Sequence, residues 1–242
     1  MSIGIIGSAD GPTSIYVATL LGSKYAPSIV VAAYSYMALV PIIQPPIMRA
    51  LTTTAERRVV MPARARKVSR RTRVLFPIVT ILVAGLIAPK STPLIGTLMF
   101  GNLLRESGVL DRLSQAAQNE LANIVTILLG LAVGGMMAAK DFLRPETIMI
   151  YVMGVVAFAM GTAAGVLLGK VMYVASGKRI NPLIGAAGIS AFPMSARVVQ
   201  KVGLEANPHS HLIMHAAGAN TAGQIASVVA GGAVLMLVPF FV

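Results

Sequence analysis

Residues 3–16 read IGIIGSADGPTSIY, and the reading of this stretch decides the fold. Asp10 lies inside an apolar run, between Ile5-Ile6 and the segment Ile15 to Leu21, and no Lys or Arg precedes Lys24. The SADGP core cannot be regular helix throughout. Pro12 lacks an amide donor and turns Gly11 away from helical angles, while Gly11 is itself permissive. The sequence therefore predicts a membrane-depth helix that breaks at the one place where it carries a charge. In a bilayer that combination is costly unless something binds there, which makes Asp10 a functional-site candidate.

Composition agrees with a membrane setting. Hydrophobic residues make up 56% of the 242 and charged residues only 12%, too apolar for the surface of a soluble domain of this length. Cysteine is absent, so disulfides and thiolate metal sites are excluded. No cleavable signal peptide is expected, because Met1 opens an interrupted apolar run rather than a basic start and a continuous hydrophobic core. The net charge of +12 is concentrated, with nine of the 20 basic residues between Arg49 and Arg73 against one acid, Glu56. ERRVVMPARARKVSRRTR has no aromatic interleaving, so it reads as a cytoplasmic topology signal and a lipid contact rather than a nucleic-acid site. Docking of an acidic soluble partner is the sharper alternative for this loop.

The rest of the chain divides into spans and a second break. Residues 1–48 hold the first broken helix and the span Pro27 to Met48, disturbed in its second half by Pro41, Pro45 and Pro46. Residues 49–73 are the basic loop. Residues 74–179 hold the short apolar pieces Val74 to Ala88 and Pro93 to Leu104, an interfacial amphipathic helix near 105–120, and the spans Ala122 to Ala139 and Ile148 to Leu168. Gly161, Gly165 and Gly169 recur every four residues, the spacing that lets helix backbones approach closely in lipid. Residues 180–242 open on NPLIGAAGISAFPM, too short and too rich in glycine to span, and end on the span Leu212 to Val238.

With the basic loop inside, Lys140 falls outside and Lys170 to Arg179 inside, so both strongly basic segments share a side. The two broken segments then enter from opposite faces. The expected fold class is an all-α polytopic membrane protein with two discontinuous (re-entrant) elements of an inverted repeat, the arrangement that marks a transporter's binding site.

Oxygen donors near the breaks suit a hard cation. Asp10 fits Na+ or a proton, and Asn181, Ser190, Asn220 and Gln224 are neutral candidates whose blander role is interhelical hydrogen bonding. Tyr36 is either a packing group or functional. Arg197, just after the second break, is either a snorkelling interface residue or a fork for a carboxylate or ureido oxygen. His209, His211 and His215 have no helical metal-pair spacing, and no P-loop, dinucleotide fingerprint or hydrolase triad is present.

IGIIGSADGPTSIY, PLIGTLMFGNLLRESGV, QNELANIVTILLGL and NPLIGAAGISAFPMSARVVQKVG, in this order, closely resemble the beta subunit of the sodium-pumping biotin-dependent decarboxylases acting on oxaloacetate, methylmalonyl-CoA, glutaconyl-CoA or malonate. The resemblance implies a membrane subunit that decarboxylates carboxybiotin and couples this to Na+ export with proton consumption. It further implies that Asp10 is the Na+/proton carboxylate, Asn181, Asn220 and Ser190 are Na+ ligands, and Tyr36 is a functional tyrosine. Gly185, Ser190 and Arg197 become residues of the second break, with Arg197 near carboxybiotin. The implied partners are a carboxyltransferase alpha subunit bearing the biotin carrier and a small gamma membrane subunit, assembled as an oligomer in a prokaryotic plasma membrane. The chain matches the family's C-terminal half, and Ala219 stands where a proline often precedes the asparagine. A Na+-coupled transporter of a small anion and a non-functional C-terminal fragment are the alternatives.

Overall fold

A computed structural model describes residues 2–62, 68–136 and 143–240. The marks predicted at Arg64, Arg66, Lys67 and Lys140-Asp141 lie outside the described residues, as does the end of the span predicted to reach Ala139. Among the described residues there is no strand.

The first segment is two short helices, α1 (Ser2–Gly7) and α2 (Gly11–Leu20), separated by Ser8, Ala9 and Asp10. The break falls at Asp10, as expected. Gly11 and Pro12 form the first turn of α2, where a proline's missing N–H would have had no helical partner. Ala9 takes a left-handed φ of 55°, and Asp10 caps α2 from an extended conformation.

α3 (Ala26–Leu51) continues through its three interior prolines, Pro41, Pro45 and Pro46. It packs against neighbouring helices, and such packing is how interior proline is tolerated in membrane helices. Its buried stripe is Tyr36, Val40, Gln44 and Met48, at four-residue spacing and each at most 2% exposed. After the short α4 (Thr54–Arg57) comes a hairpin of α5 (Arg70–Ile87) and α6 (Thr92–Ser107). Gly108, with φ 67°, ends α6. α7 (Asp111–Ala116) runs through a wide turn at Ala117–Leu121 into α8 (Ala122–Met136). The stretch expected at 105–120 as one interfacial helix is therefore divided between the end of α6 and the lead-in to α8.

α9 (Pro145–Ala175) is the longest helix, and α10 (Met194–Ala206) and α11 (Ile213–Leu237) complete the chain. The helices Ala26–Leu51, Asp111–Gly135, Pro145–Ala175 and Ile213–Leu237 are long and apolar enough to cross a membrane. The main core gathers α1, α3, α9, α10 and the second irregular segment, around residues such as Ile6, Tyr36, Phe158, Leu183 and Val199. A smaller core of Ala84, Ile95, Met99 and Val228 joins the α5–α6 hairpin to α11.

The glycines of α9 explain how the irregular segments come so close together. A Cβ at Gly165 would collide with the Gly185 carbonyl, and one at Gly169 with the Pro182 carbonyl. Gly161 faces the carbonyl of Gly7. The four-residue ladder thus seats the second irregular segment at two positions and the first at a third.

Candidate functional site

The segment Asn181–Pro193 is not an α-helix. Asn181 caps a 3-10 stretch, Pro182–Ala187, and irregular backbone follows to the start of α10. Its glycines and flanking prolines favour this course, since they leave few residues suited to helical angles.

The two irregular segments touch. The Ser190 amide donates to the Ser8 carbonyl at 2.8 Å, and the Ser190 hydroxyl donates to Asp10 Oδ2 at 3.1 Å. Asp10 Oδ1 accepts from the Thr13 amide at 2.9 Å, while the Asp10 carbonyl takes the Ser14 hydroxyl at 2.6 Å. Asp10 is 5% exposed, and among the described residues no Lys or Arg lines the cavity of about 540 Å³ beside it. An ionised carboxylate buried with two neutral donors and no cation is under-compensated. It is the natural seat of a cation.

Oxygen donors from three other helices reach the same cavity. Tyr34 from α3, Thr97 from α6 and Gln224 from α11 line it, together with Met37. Pro41, one turn on, has no amide to give the Met37 carbonyl. Asn220, one turn before Gln224, is fully buried and donates through Nδ2 to the Ile189 carbonyl at 2.5 Å. Its Oδ1 is buried and has no hydrogen-bond partner among the described residues. A buried acceptor of this kind costs about 1–3 kcal/mol, and a cation would satisfy it. The Ser8 and Ser227 hydroxyls share a bond of 2.9 Å and tie the first break to α11.

The sequence-predicted residues separate into groups. Asp10 and Ser190 meet directly, and Asn220 is joined to the residue before Ser190. Asn181 is not in the Asp10 cavity. Its Nδ2 donates to the Arg57 and Val59 carbonyls, each at 2.9 Å, and its Oδ1 accepts from the Leu183 amide. Tyr36 packs on Gly154 and donates to the Tyr151 carbonyl at 2.5 Å, also outside the cavity. Gly185 lies against Gly165, and Arg197 is exposed on α10.

Tyr34 is the residue that sequence reasoning passed over in favour of its neighbour. A Cβ on Gly11 would stand 2.7 Å from the Tyr34 ring, so glycine after Asp10 makes room for that ring. The legible signal was period: Tyr36 falls on the buried four-residue stripe, and Tyr34 on the face it shares with Met37. A second missed cluster supports the irregular segment. Gln44 Nε2 donates to the Ala186 carbonyl at 2.8 Å, and the Ser195 hydroxyl contacts Gln44 Oε1 at 2.9 Å and the Ala186 carbonyl at 3.0 Å.

The fold and site define an α-helical membrane protein in which two irregular segments meet around one buried carboxylate. A family model, that of the Na+-transporting oxaloacetate decarboxylase beta subunit, matches residues 1–238, and the chain belongs to this family. It is 56% identical over 237 residues to the oxaloacetate decarboxylase beta chain 2 of Salmonella typhi, covering 98% of this chain and 54% of that one. It is equally identical, over the same shares, to the oxaloacetate decarboxylase beta chain of Klebsiella pneumoniae. The methylmalonyl-CoA decarboxylase subunit beta of Veillonella parvula is 54% identical over 236 residues, covering 98% of this chain and 63% of the relative. The chain thus spans a little over half the length of these curated relatives.

Proposed function

We propose that this chain is part of the membrane subunit of a Na+-translocating decarboxylase, carrying Na+ at Asp10 and taking its energy from carboxybiotin. The observation that carries the reading is the junction of the two irregular segments, Ser190 N–H on the Ser8 carbonyl and Ser190 hydroxyl on Asp10, beside a cavity lined by no basic residue among those described. Membership of a Na+-transporting family supports Na+ as the ion.

In this reading the segments on either side of Asp10 and between Asn181 and Pro193 are re-entrant elements of an inverted repeat. Na+ is held by Asp10, the Ser190 hydroxyl and Asn220 Oδ1. Asn181 and Tyr36 act as positioning residues, Asn181 by holding the Arg57–Val59 backbone and Tyr36 by fixing α3 on α9. Gly185 keeps the second segment against α9.

Carboxybiotin arrives on a carrier borne by an alpha subunit and docks at the basic, cytoplasmic face near Arg197, whose guanidinium matches a carboxylate or ureido oxygen. Cleavage of its N–CO2 bond there would release CO2, with the ring nitrogen taking the proton consumed from the far side of the membrane. Moving each Na+ outward costs about 2.3 kcal/mol per 100 mV, so the coupled reaction must be strongly exergonic. A small gamma subunit, an oligomeric assembly and a prokaryotic plasma membrane complete the reading.

The test uses the intact complex in vesicles. Asp10→Asn should abolish both Na+ uptake and Na+-dependent decarboxylation, and avidin should block uptake in the unmodified complex. Retained Na+ uptake in Asp10→Asn would refute the assignment of the ion site. Avidin-insensitive uptake would instead identify a secondary transporter without decarboxylation.

A further inference from the structure

The start of the basic loop folds into a built pocket rather than a diffuse charged surface. Arg49, Thr54, Arg57, Arg58 and Glu205 line a cavity of about 200 Å³ between α4 and the end of α10, with Val202 and Ala206 as its apolar wall. Three guanidinium groups face one carboxylate there, and Glu205 is already bound by Arg49 at 2.6 Å. The other two arginines are held by neutral oxygens. Arg57 donates to the carbonyls of Arg49 and Thr52 and to the hydroxyls of Thr52 and Thr54. Arg58 donates through Nε to the Ala206 carbonyl at 3.3 Å, while its own carbonyl accepts from Asn207. Among the described residues neither Arg57 nor Arg58 forms an ion pair. Two positive charges are therefore oriented by the backbone and left without an anion.

We propose that this pocket binds the phosphate of an anionic phospholipid headgroup. A guanidinium fork matches phosphate oxygens in geometry as well as charge. Position selects a lipid as the source. α3 has 26 residues and is about 39 Å long, more than the roughly 30 Å of a hydrocarbon core. Its Arg49 end therefore reaches the level where lipid phosphates lie. Basic pockets between membrane helices are the kind of site that recognises such headgroups. A phosphate seated here bridges α3 and α4 to α10, the helix that begins directly after the second irregular segment. Anionic lipid then steadies the mouth of that segment without touching the Asp10 cavity.

The test is lipid retention by the purified protein, read by native mass spectrometry after titration with phosphatidylglycerol or phosphatidylcholine. Arg58→Gln is the informative variant, because Arg57 also closes the end of α3 and its loss would disturb folding. Unmodified protein should retain phosphatidylglycerol over phosphatidylcholine, and Arg58→Gln should weaken that retention roughly five- to tenfold, the worth of one charge-assisted contact at a membrane surface. Arg71→Gln, exposed and outside the pocket, should change nothing. Equal retention by Arg58→Gln, or no preference for phosphatidylglycerol, would overturn the proposal. Displacement of the lipid by inorganic phosphate alone would reassign the pocket to a soluble anion. Displacement by a polyglutamate peptide would reassign it to an acidic protein partner.

Discussion

Adding a single methyl group at Gly165 should damage this protein although the same change elsewhere helps it. A Cβ there would stand 3.1 Å from the Gly185 carbonyl carbon and closer still to its oxygen, with the Ala186 nitrogen at 3.7 Å. All three are backbone atoms, so no side-chain rotation relieves the collision, and α9 or the 3-10 segment must shift. Overpacking of this kind costs about 1–3 kcal/mol, and a backbone clash belongs at the upper end. Alanine recovers about 1 kcal/mol of helix propensity, leaving a net loss of about 2 kcal/mol. Gly130 on α8 is the control, since nothing lies within 4 Å of its added Cβ. There alanine should be neutral or stabilising by up to about 1 kcal/mol. Thermal unfolding in detergent, followed by circular dichroism because the chain has no tryptophan, should place Gly165→Ala about 5 °C or more below Gly130→Ala. Gly165→Ala melting at or above the control would refute the claim that the glycine ladder seats the second irregular segment.

Other outcomes follow from the same geometry. Ser190→Ala removes the hydroxyl donor to Asp10 Oδ2 and should weaken Na+ dependence roughly tenfold, the scale of one hydrogen bond to a charged group, read as the Na+ concentration giving half-maximal activity of the complex. Tyr36→Phe should lower stability by about 0.5–1.5 kcal/mol with little change in Na+ dependence, whereas Tyr34→Phe, in the Asp10 cavity, should shift Na+ dependence more than stability. Glu56 carries a pH prediction. Burial opposes its ionisation, but hydrogen bonds from Thr53 and the Lys170 ammonium at 3.4 Å outweigh burial and hold the carboxyl below its usual range. Its stabilising contribution is therefore full above the unfolded-state value of 4.5 and fades as pH falls through the lower folded value. Glu56→Gln should flatten that acid limb of the melting-temperature profile.

Much of this arrangement is legible in the sequence because it depends on local chemistry. Asp10 beside Gly11 and Pro12 marks a break whatever packs around it, and the Gly161–Gly165–Gly169 spacing marks a face built for backbone contact. The expectation for Pro41, Pro45 and Pro46 failed for a tertiary reason. α3 packs against α9 and α10, and that packing holds the helix through residues that would disrupt it in isolation. The side-chain partners were out of reach for a related reason. Asp10 and Ser190 are 180 residues apart, and Gln44 and Ser195 151 apart. No local pattern encodes such pairings. Asn181 illustrates the limit: the resemblance implies a Na+ ligand and the residue type alone left interhelical hydrogen bonding open, and its Nδ2 donates to the carbonyls of Arg57 and Val59. Tyr34 and Tyr36 differ only in which face of α3 they occupy, and the four-residue stripe through Gln44 distinguishes them.

The most direct measurement is the Na+-dependent rise in melting temperature of the purified protein, compared with K+ at equal ionic strength. A ligand at one hundred times its dissociation constant stabilises by about 2.7 kcal/mol. That should appear with Na+ in the unmodified protein and vanish in Asp10→Asn. A Na+-specific shift of the same size in Asp10→Asn would place the ion elsewhere and contradict the site built between the two irregular segments.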